Sequence, residues 1–248
     1  MKIYEYISDF KIKYCDTDFK DEMKPSIALA LMEEVACDSA SELGFGYEYL
    51  KPLGMGFMVS NVYLEFLRPI KLGERIRVKT WPTPPTYAIF GREYQFLSQD
   101  GEILLNATSR WCLMDMYAGK LLQSKALQGQ DYSTYNTKKL FSDIKWKIPV
   151  INVSEEEFCF EMVVKSSDYD HNMHVNNTRY ADFCFNCFSV EELSRKQVKK
   201  LCICYVKQCK ENEVLRFYRQ KTGQGEYLIQ GMKDSGERVV QASIGFEE

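Results

Sequence analysis

With 248 residues, the chain has room for one large or two modest domains. Its 45% hydrophobic and 14% aromatic content excludes a disordered polymer, and a net charge of −3 argues against a nucleic-acid-binding domain, which usually carries a basic excess. Nine cysteines, several set in apolar runs (Cys37, Cys159, Cys184, Cys202), read as buried thiols of a reducing, cytoplasmic setting rather than as a disulfide framework. No run approaches the roughly 18 apolar residues of a membrane span, and the start, Met1-Lys-Ile-Tyr-Glu, lacks a signal-peptide core, so a soluble protein is expected.

In chain order, an extended run, Phe10 to Tyr14, leads to Asp16-Thr17-Asp18. A helix is expected from near Pro25 through Leu31, Glu34, Val35 and Asp38, with proline in its first turn and Gly44 just past its end. Val62, Leu64 and Phe66 then alternate with Asn61, Tyr63 and Glu65. Ile76, Val78 and Thr80 alternate with Arg75, Arg77 and Lys79, which predicts a strand with one dry and one basic face. Two further strands, around Glu93–Leu97 and Ile103–Met116, flank the turn Ser98-Gln-Asp-Gly101. A polar stretch opening at Gln128 reads as a linker, assigned to residues 128–150.

The second half repeats this order. Phe160–Val164 leads to Asp168-Tyr169-Asp170, matching the earlier Asp-x-Asp, and Tyr180, Phe183, Cys184, Cys187 and Phe188 recur at helical spacing. Strands follow at Cys202–Lys207 and Val214–Arg219. The stretch from Asp234-Ser-Gly236 to Ala242 echoes Asp100-Gly101 to Ala107. A strand, one long helix and a run of antiparallel strands, occurring twice, predicts two α+β domains over residues 1–127 and 151–248. This layout is that of a tandem hotdog fold, in which each half is a curled antiparallel sheet wrapped around one long helix.

The only two histidines, His171 and His174, stand in the segment Asp168 to Asn177, between the expected strand and helix of the second half. A group that titrates near neutral pH must be found there. In an extended loop, Asp170, Asn172 and His174 at i, i+2 and i+4 share one face. Asn172 supplies an amide N–H for an oxyanion, His174 moves a proton, and Asp170 orients the imidazole or takes a proton from water. The plain alternative is an Asx turn, with Asn176 or Asn177 capping the next helix, and both readings can hold together. Asp170, His171 and His174 also have the chemistry of zinc ligands, but no second ligand cluster accompanies them. Cys209, between Lys207 and Lys210, is a candidate nucleophile on one side and a wall residue on the other. Cys184-Phe-Asn-Cys187 has C-x-x-C spacing, yet as part of an amphipathic helix both sulfurs fall on its apolar face.

The segment Asp168-x-Asp170-x-Asn172-x-His174-Val-Asn176-Asn177-x-Arg179-Tyr180 resembles the D-x-D-x-N-x-H-V-N-N-x-K-Y signature of the plant-type and bacterial acyl-acyl-carrier-protein thioesterases, with arginine for lysine. Glu34 to Phe45 and Asn106 to Met114 support the resemblance, which runs from about Tyr14 to Glu247. It implies that Asp170, Asn172 and His174 are catalytic, that Asn176 and Asn177 contact substrate, and that neither metal nor cofactor is needed. The family also places a catalytic Glu on a strand after the helix, in a context like Y-x-x-E-C. Here Tyr205-Val-Lys-Gln208-Cys209 puts Gln208 at that position, and a glutamine holds a water but cannot take its proton.

The first half, with Phe19-Lys-Asp-Glu22 after its Asp-x-Asp, lacks the Asn and His, so one active site per chain is expected. By resemblance the N-terminal domain shapes an acyl-chain pocket, with Leu31, Met32 and Val35 as candidate lining residues, unless they are ordinary core. The implied function is hydrolysis of fatty acyl-carrier protein to free fatty acid and carrier thiol. The implied partner is an acidic acyl carrier protein, steered by Arg75, Arg77 and Lys79 with Arg68 and Lys71 nearby, unless these form only a solvated strand face. No nucleic-acid partner is expected, and a homodimer is allowed. The rival readings are an acyl-CoA thioesterase of the same fold, a non-catalytic acyl-binding or regulatory hotdog, and a hotdog dehydratase.

Overall fold

The structure, a computed structural model, describes residues 3–127 and 129–247. It divides into two compact units, Met1–Met23 with Ala28–Ile144, and Lys24–Ile27 with Lys145–Glu248.

In the first unit, β1 (Tyr6–Lys11), β2 (Met55–Phe66), β3 (Arg75–Pro82), β4 (Ile89–Ser98) and β5 (Ile103–Asp115) form an antiparallel sheet in the order β1-β3-β4-β5-β2, with the short β6 (Lys120–Leu122) paired to β5. Helix α1 (Pro25–Glu42) buries Ala28, Leu29, Met32, Val35, Ala36 and Ser39, the stripe a 3.6-residue period produces. Pro25 opens it, where a missing N–H costs nothing. Gly44 closes it at φ +82°, with Phe45 N–H donating to Ala40 O and Gly44 N–H to Ser41 O, the paired bonds of a left-handed helix end. A one-turn helix α2 (Tyr47–Leu50) follows.

Strand β3 buries Ile76, Val78 and Thr80, as its alternation predicts. Its outward basic face is largely neutralised within the unit. Arg77 pairs with Asp9 at 3.2 Å, and Lys79 pairs with Glu5 at 3.1 Å while lying over the Trp81 ring. Arg68 is held by Glu74 and Glu102, and Lys71 by Glu22. Exposed pairs of this kind contribute at most about 1 kcal/mol to stability. They offset part of the positive charge that this face carries. Residues from the expected linker also pack on this unit: Trp81 Nε1 donates to Lys138 O at 2.9 Å, and the Tyr63 and Phe141 rings meet edge-on at 4.9 Å.

In the second unit, β7 (Phe158–Val163), β8 (Gln197–Tyr205), β9 (Val214–Gly223), β10 (Glu226–Lys233) and β11 (Arg238–Glu247) form an antiparallel sheet in the order β8-β11-β10-β9-β7. Helix α3 (Asn177–Phe185) buries Tyr180, Ala181, Phe183 and Cys184, and Phe183 meets Phe217 of β9 edge-on at 6.0 Å. A short helix, α4 (Val190–Ser194), is capped by Ser189 and Glu192 in a reciprocal box. Three local expectations need correction. Helix α3 stops at Phe185, so Cys187 and Phe188 lie beyond it and the C-x-x-C pair does not share a helix face. Strand β8 ends at Tyr205, so Gln208 follows the strand rather than belonging to it. Strand β10 has no counterpart in the sequence reading.

Candidate active site

The segment between β7 and α3 is a closed turn, not the extended loop its spacing suggests. Tyr169 and Val175 pair as an antiparallel bridge, Asp170 N–H donates to His174 O at 2.8 Å, and Met173 N–H donates to Asp170 O at 3.2 Å. The bend comes from the Asp170 side chain, whose Oδ1 accepts Asn172 N–H at 2.8 Å and His174 N–H at 3.1 Å. Met173 sits at φ +60°, a left-handed conformation that ends any alternation of faces. The predicted trio is therefore brought together, but through one carboxylate oxygen and two backbone amides rather than by a shared strand face. Asp170 and His174 are half-buried, and His171 and Asn172 are exposed.

Two anchors hold this turn. Asp168, buried, accepts Lys165 N–H at 3.0 Å and the Arg179 guanidinium at 3.3 Å, and its own carbonyl accepts Asn176 N–H at 2.8 Å. Arg179 also pairs with Asp182 at 3.1 Å and lies over the Phe183 ring. Asn176 caps α3, its Oδ1 accepting Thr178 N–H at 2.8 Å and Thr178 Oγ1–H at 2.7 Å. Asn177 is the first residue of the helix. The capping reading thus describes Asn176. Asp168 and Arg179 are positioning residues that the sequence reading left without a role.

The first unit contains the same turn, 152 positions earlier. Asp18 N–H donates to Glu22 O at 2.8 Å, Asp21 N–H to Asp18 O at 3.1 Å, and Asp18 Oδ1 accepts Lys20 N–H at 2.8 Å and Glu22 N–H at 3.2 Å. Thr17 and Met23 form the bridge, Asp21 takes φ +56°, and Asp16 accepts Lys13 N–H at 2.7 Å, as Asp168 does from Lys165. Lys20 stands at the Asn172 position and Glu22 at the His174 position. Asp18 holds this shape where no imidazole exists, so the bond pattern of Asp170 is in the first instance that of a brace.

The two turns differ in how they are tied to the sheet. In the first unit Met23 N–H donates to Ile70 O at 2.7 Å, Leu72 N–H to Asp21 O at 2.9 Å, and Lys71 Nζ pairs with Glu22. In the second unit the neighbouring contacts recur: Val164 N–H to Glu213 O at 3.0 Å matches Ile12 N–H to Glu74 O at 2.9 Å, and Asn212 N–H to Val164 O matches Gly73 N–H to Ile12 O. Among the described residues, however, no backbone hydrogen bond joins the turn 169–175 to residues 208–211. By this correspondence Gln208 and Cys209 occupy the places of Pro69 and Ile70, the second of which holds the turn in the first unit. Gln208 Oε1 is buried and has no partner among the described residues. Tyr180 of α3 donates its hydroxyl to Cys209 Sγ at 3.2 Å.

Burial pushes the Cys209 thiol above its ordinary pKa, with the Tyr180 hydrogen bond opposing only in part, which favours the wall reading over the nucleophile. Cys184 is pushed up by burial too. Cys187 instead meets Cys159 of β7, and its hydrogen bond holds the Cys159 thiol down, at about 7. Among the described residues no group of three or more His, Cys, Asp and Glu side chains converges as a metal site.

Family models match both halves of the chain, the acyl-ACP thioesterase N-terminal domain over residues 4–123 and the acyl-ACP thioesterase C-terminal domain over residues 151–248. The chain belongs to the acyl-ACP thioesterase family. Among curated members of this family, a palmitoyl-acyl carrier protein thioesterase, chloroplastic, of Gossypium hirsutum is 24% identical over 187 residues, covering 73% of this chain and 45% of that protein. One of the same name from Arabidopsis thaliana is 24% identical over 61% of this chain and 38% of that protein. The chain therefore spans less than half the length of the curated relatives it matches. Among solved structures, an acyl-ACP thioesterase from Bacteroides thetaiotaomicron superposes with a TM-score of 0.87 at 22% identity, covering 98% of each chain. A 12:0-ACP thioesterase from Umbellularia californica superposes at 0.85 and 17% identity, over 98% of this chain and 97% of that one. At these identities the superpositions establish the fold, an α+β tandem hotdog.

Proposed function

We propose that the chain hydrolyses the thioester of a fatty acyl-carrier protein, releasing free fatty acid and the carrier thiol. The observation that supports this most directly is the turn at Asp170–His174, which in this family member carries the only imidazoles of the chain next to an amide side chain. In the reaction a water oxygen adds to the thioester carbonyl carbon, the carbonyl oxygen takes the negative charge, and the carbon–sulfur bond then breaks with a proton passing to sulfur. His174 is assigned the proton transfers, since general acid–base groups of this kind contribute roughly 10²–10⁴-fold. Asn172 donates its amide N–H to the developing oxyanion. Asp170 braces both residues through Oδ1 and offers Oδ2 for orienting the imidazole or accepting the proton of water. Gln208, whose buried Oε1 has no partner among the described residues, holds that water by accepting one of its hydrogens. Asn176 and Asn177 present the start of α3 to the acyl-pantetheine arm.

The domain roles follow: the unit with the Asp170 turn is catalytic, and the unit with the Asp18 turn shapes acyl-chain selection. A cytoplasmic setting is part of the proposal, supported by nine cysteines that are all free thiols; no helix is long and apolar enough to cross a membrane among the described residues. A homodimer is not required by the site. The test is thiol release from dodecanoyl-carrier protein and dodecanoyl-CoA at matched concentrations. Faster release from the carrier substrate, abolished by His174→Ala, is the expected result. Preference for CoA would move the protein to the acyl-CoA reading, and loss of water from 3-hydroxydodecanoyl-carrier protein to give the enoyl thioester, without thiol release, would make it a dehydratase.

A further inference from the structure

Helix α3 stops at Phe185, and the chain turns as it leaves: Cys187 N–H donates to Cys184 O at 3.3 Å and Phe188 N–H to Phe185 O at 3.0 Å. Cys187 is thereby taken off the helix and buried, 6% exposed, where it meets Cys159 of β7. Strand β7 is irregular at that point. Phe158 pairs with Tyr218 and Phe160 with Phe217, so Cys159 is the extra residue of a β-bulge, a device that re-aims a side chain. Phe160 stacks on Phe217, which meets Phe183 of α3, and Cys159 reaches toward the same helix, where its sulfur accepts the Cys187 S–H. Strand β7 also ends the strand order of the sheet, so it moves without tearing a second ladder.

The surroundings make Cys159 the reactive member of the pair. It is half-buried, whereas Cys187 is buried. The Cys187 hydrogen bond is the main influence holding the Cys159 thiol down, at about 7; burial opposes it, and the positive field of Arg219 of β9 assists. Glu192 of α4 opposes as well, but its carboxylate is engaged by Arg219 Nη1 at 2.9 Å. The same contact between the sulfurs, together with burial, raises Cys187 above its ordinary value. Near neutral pH a thiolate therefore lies in contact with a protonated thiol, the arrangement in which an attacking sulfur already has its resolving partner.

We propose that Cys159 and Cys187 form an oxidation site for hydroperoxides, closing to a disulfide that ties β7 to the end of α3 and so spans the segment carrying the Asp170 turn. The Cys159 thiolate attacks one peroxide oxygen. A sulfur–oxygen bond forms, the oxygen–oxygen bond breaks, and the departing hydroxide takes up the proton that Cys159 gave to solvent on ionising. The Cys187 sulfur then displaces the hydroxyl of the sulfenic acid. A sulfur–sulfur bond forms, the sulfur–oxygen bond breaks, and the Cys187 proton leaves with the hydroxyl as water. Two thiols have lost two electrons, and hydrogen peroxide has become two waters. A disulfide is about 2 Å long, so the sulfurs must approach by about 1–2 Å from hydrogen-bond contact, a shift that the bulged edge strand permits. Neither sulfur has a part in the hydrolysis proposed above, so the site is testable whatever the chain hydrolyses.

The test exposes the full chain to hydrogen peroxide at pH 7 and maps its peptides by mass spectrometry without reduction. The expected product is a peptide pair joined through Cys159 and Cys187, two hydrogens lighter than the free pair and separated again by dithiothreitol. Its rate of formation should rise about tenfold between pH 6 and pH 8, following the ionisation of a thiol at about 7, whereas an ordinary thiol would rise about 80-fold. Cys187→Ser should stop at the sulfenic acid, trapped on Cys159 by dimedone. Cys159→Ser should give neither the disulfide nor a trapped acid on Cys187, and thermal melting checks that both variants fold. The mapping of the wild-type chain decides the matter even if a variant does not fold. If peroxide leaves both thiols reduced at a concentration that oxidises the exposed Cys15, or joins Cys187 to Cys184 instead, the site does not exist. An 80-fold rise with pH, or a dimedone adduct on Cys187 in Cys159→Ser, would overturn Cys159 as the attacking sulfur.

Discussion

Asp170→Asn separates the brace from the base, and the first unit supplies its control. Asparagine keeps an oxygen where Oδ1 accepts the Asn172 and His174 amides, at 2.8 and 3.1 Å, and removes only the charge. A hydrogen bond to a charged acceptor contributes roughly 1.5–3 kcal/mol and one to a neutral acceptor about 0.5–1.5, so two bonds lose about 2 kcal/mol between them. Partial exposure of the turn reduces this to about 1–2 kcal/mol. Asp18→Asn removes the charge from the equivalent pair of bonds, at 2.8 and 3.2 Å, and should cost the same. Urea unfolding followed by tryptophan fluorescence reads both, since Trp81 and Trp111 lie in the first unit and Trp146 in the second. Hydrolysis should then split the two variants: Asp18→Asn stays near the wild-type rate and Asp170→Asn falls at least tenfold, about 1.4 kcal/mol of barrier. An Asp170→Asn enzyme that loses stability yet keeps its rate would show that Asp170 is a brace and nothing more. Equal loss of rate in both variants would refute the assignment of chemistry to one turn.

Three further outcomes are expected. His174→Ala should lower thiol release by about 10²–10⁴-fold with little change in the unfolding midpoint, while His171→Ala, exposed and outside the braced amides, should stay within a few-fold; the opposite order would mean the wrong imidazole has been chosen. Gln208→Ala should lower kcat with KM nearly unchanged. Gln208→Glu places a carboxyl in a buried position, where desolvation raises its pKa, so any gain in rate should appear only as pH rises through that raised value; a pH profile identical to wild type would remove Gln208 from the site. Alkylation by iodoacetamide should modify Cys159 with a midpoint near pH 7, because the Cys187 hydrogen bond holds it at about 7, whereas Cys209 should resist throughout; fast labelling of Cys209 would reopen it as a nucleophile.

Periodicity made much of this architecture legible. Pro25 and Gly44 bracket α1, and the alternation of Ile76, Val78 and Thr80 defines β3, because each pattern has a direct geometric cause. Strand β10 escaped because Tyr227 through Gly231 are all buried, so the run does not alternate and carries no period to read. The candidate site was legible as chemistry and not as shape. Asp170, Asn172 and His174 stand out as candidates by their side chains, but their arrangement rests on side-chain-to-backbone bonds, which leave no periodic trace. The repeated Asp-x-Asp, with a lysine three residues before each, was the signal that could have revealed the turn. Arg92 of β4, buried with its Nη1 donating to Ser39 Oγ of α1 at 2.8 Å, illustrates the opposite failure. A charged residue in a strand reads as solvent-facing, and nothing local in the sequence announces that it lies beneath a helix.

The turn that carries His174 is knotted by main-chain amides and one aspartate oxygen, and among the described residues those knots use no side-chain atom of Asn172 or Met173. Their identities can therefore drift while the backbone keeps its course, limited mainly by the left-handed conformation at Met173, which favours glycine or asparagine over a branched residue. Such a loop is a socket into which new reactive groups can be fitted by exchange of single residues. Lys20 and Glu22 of the first unit show the same socket fitted with a different set.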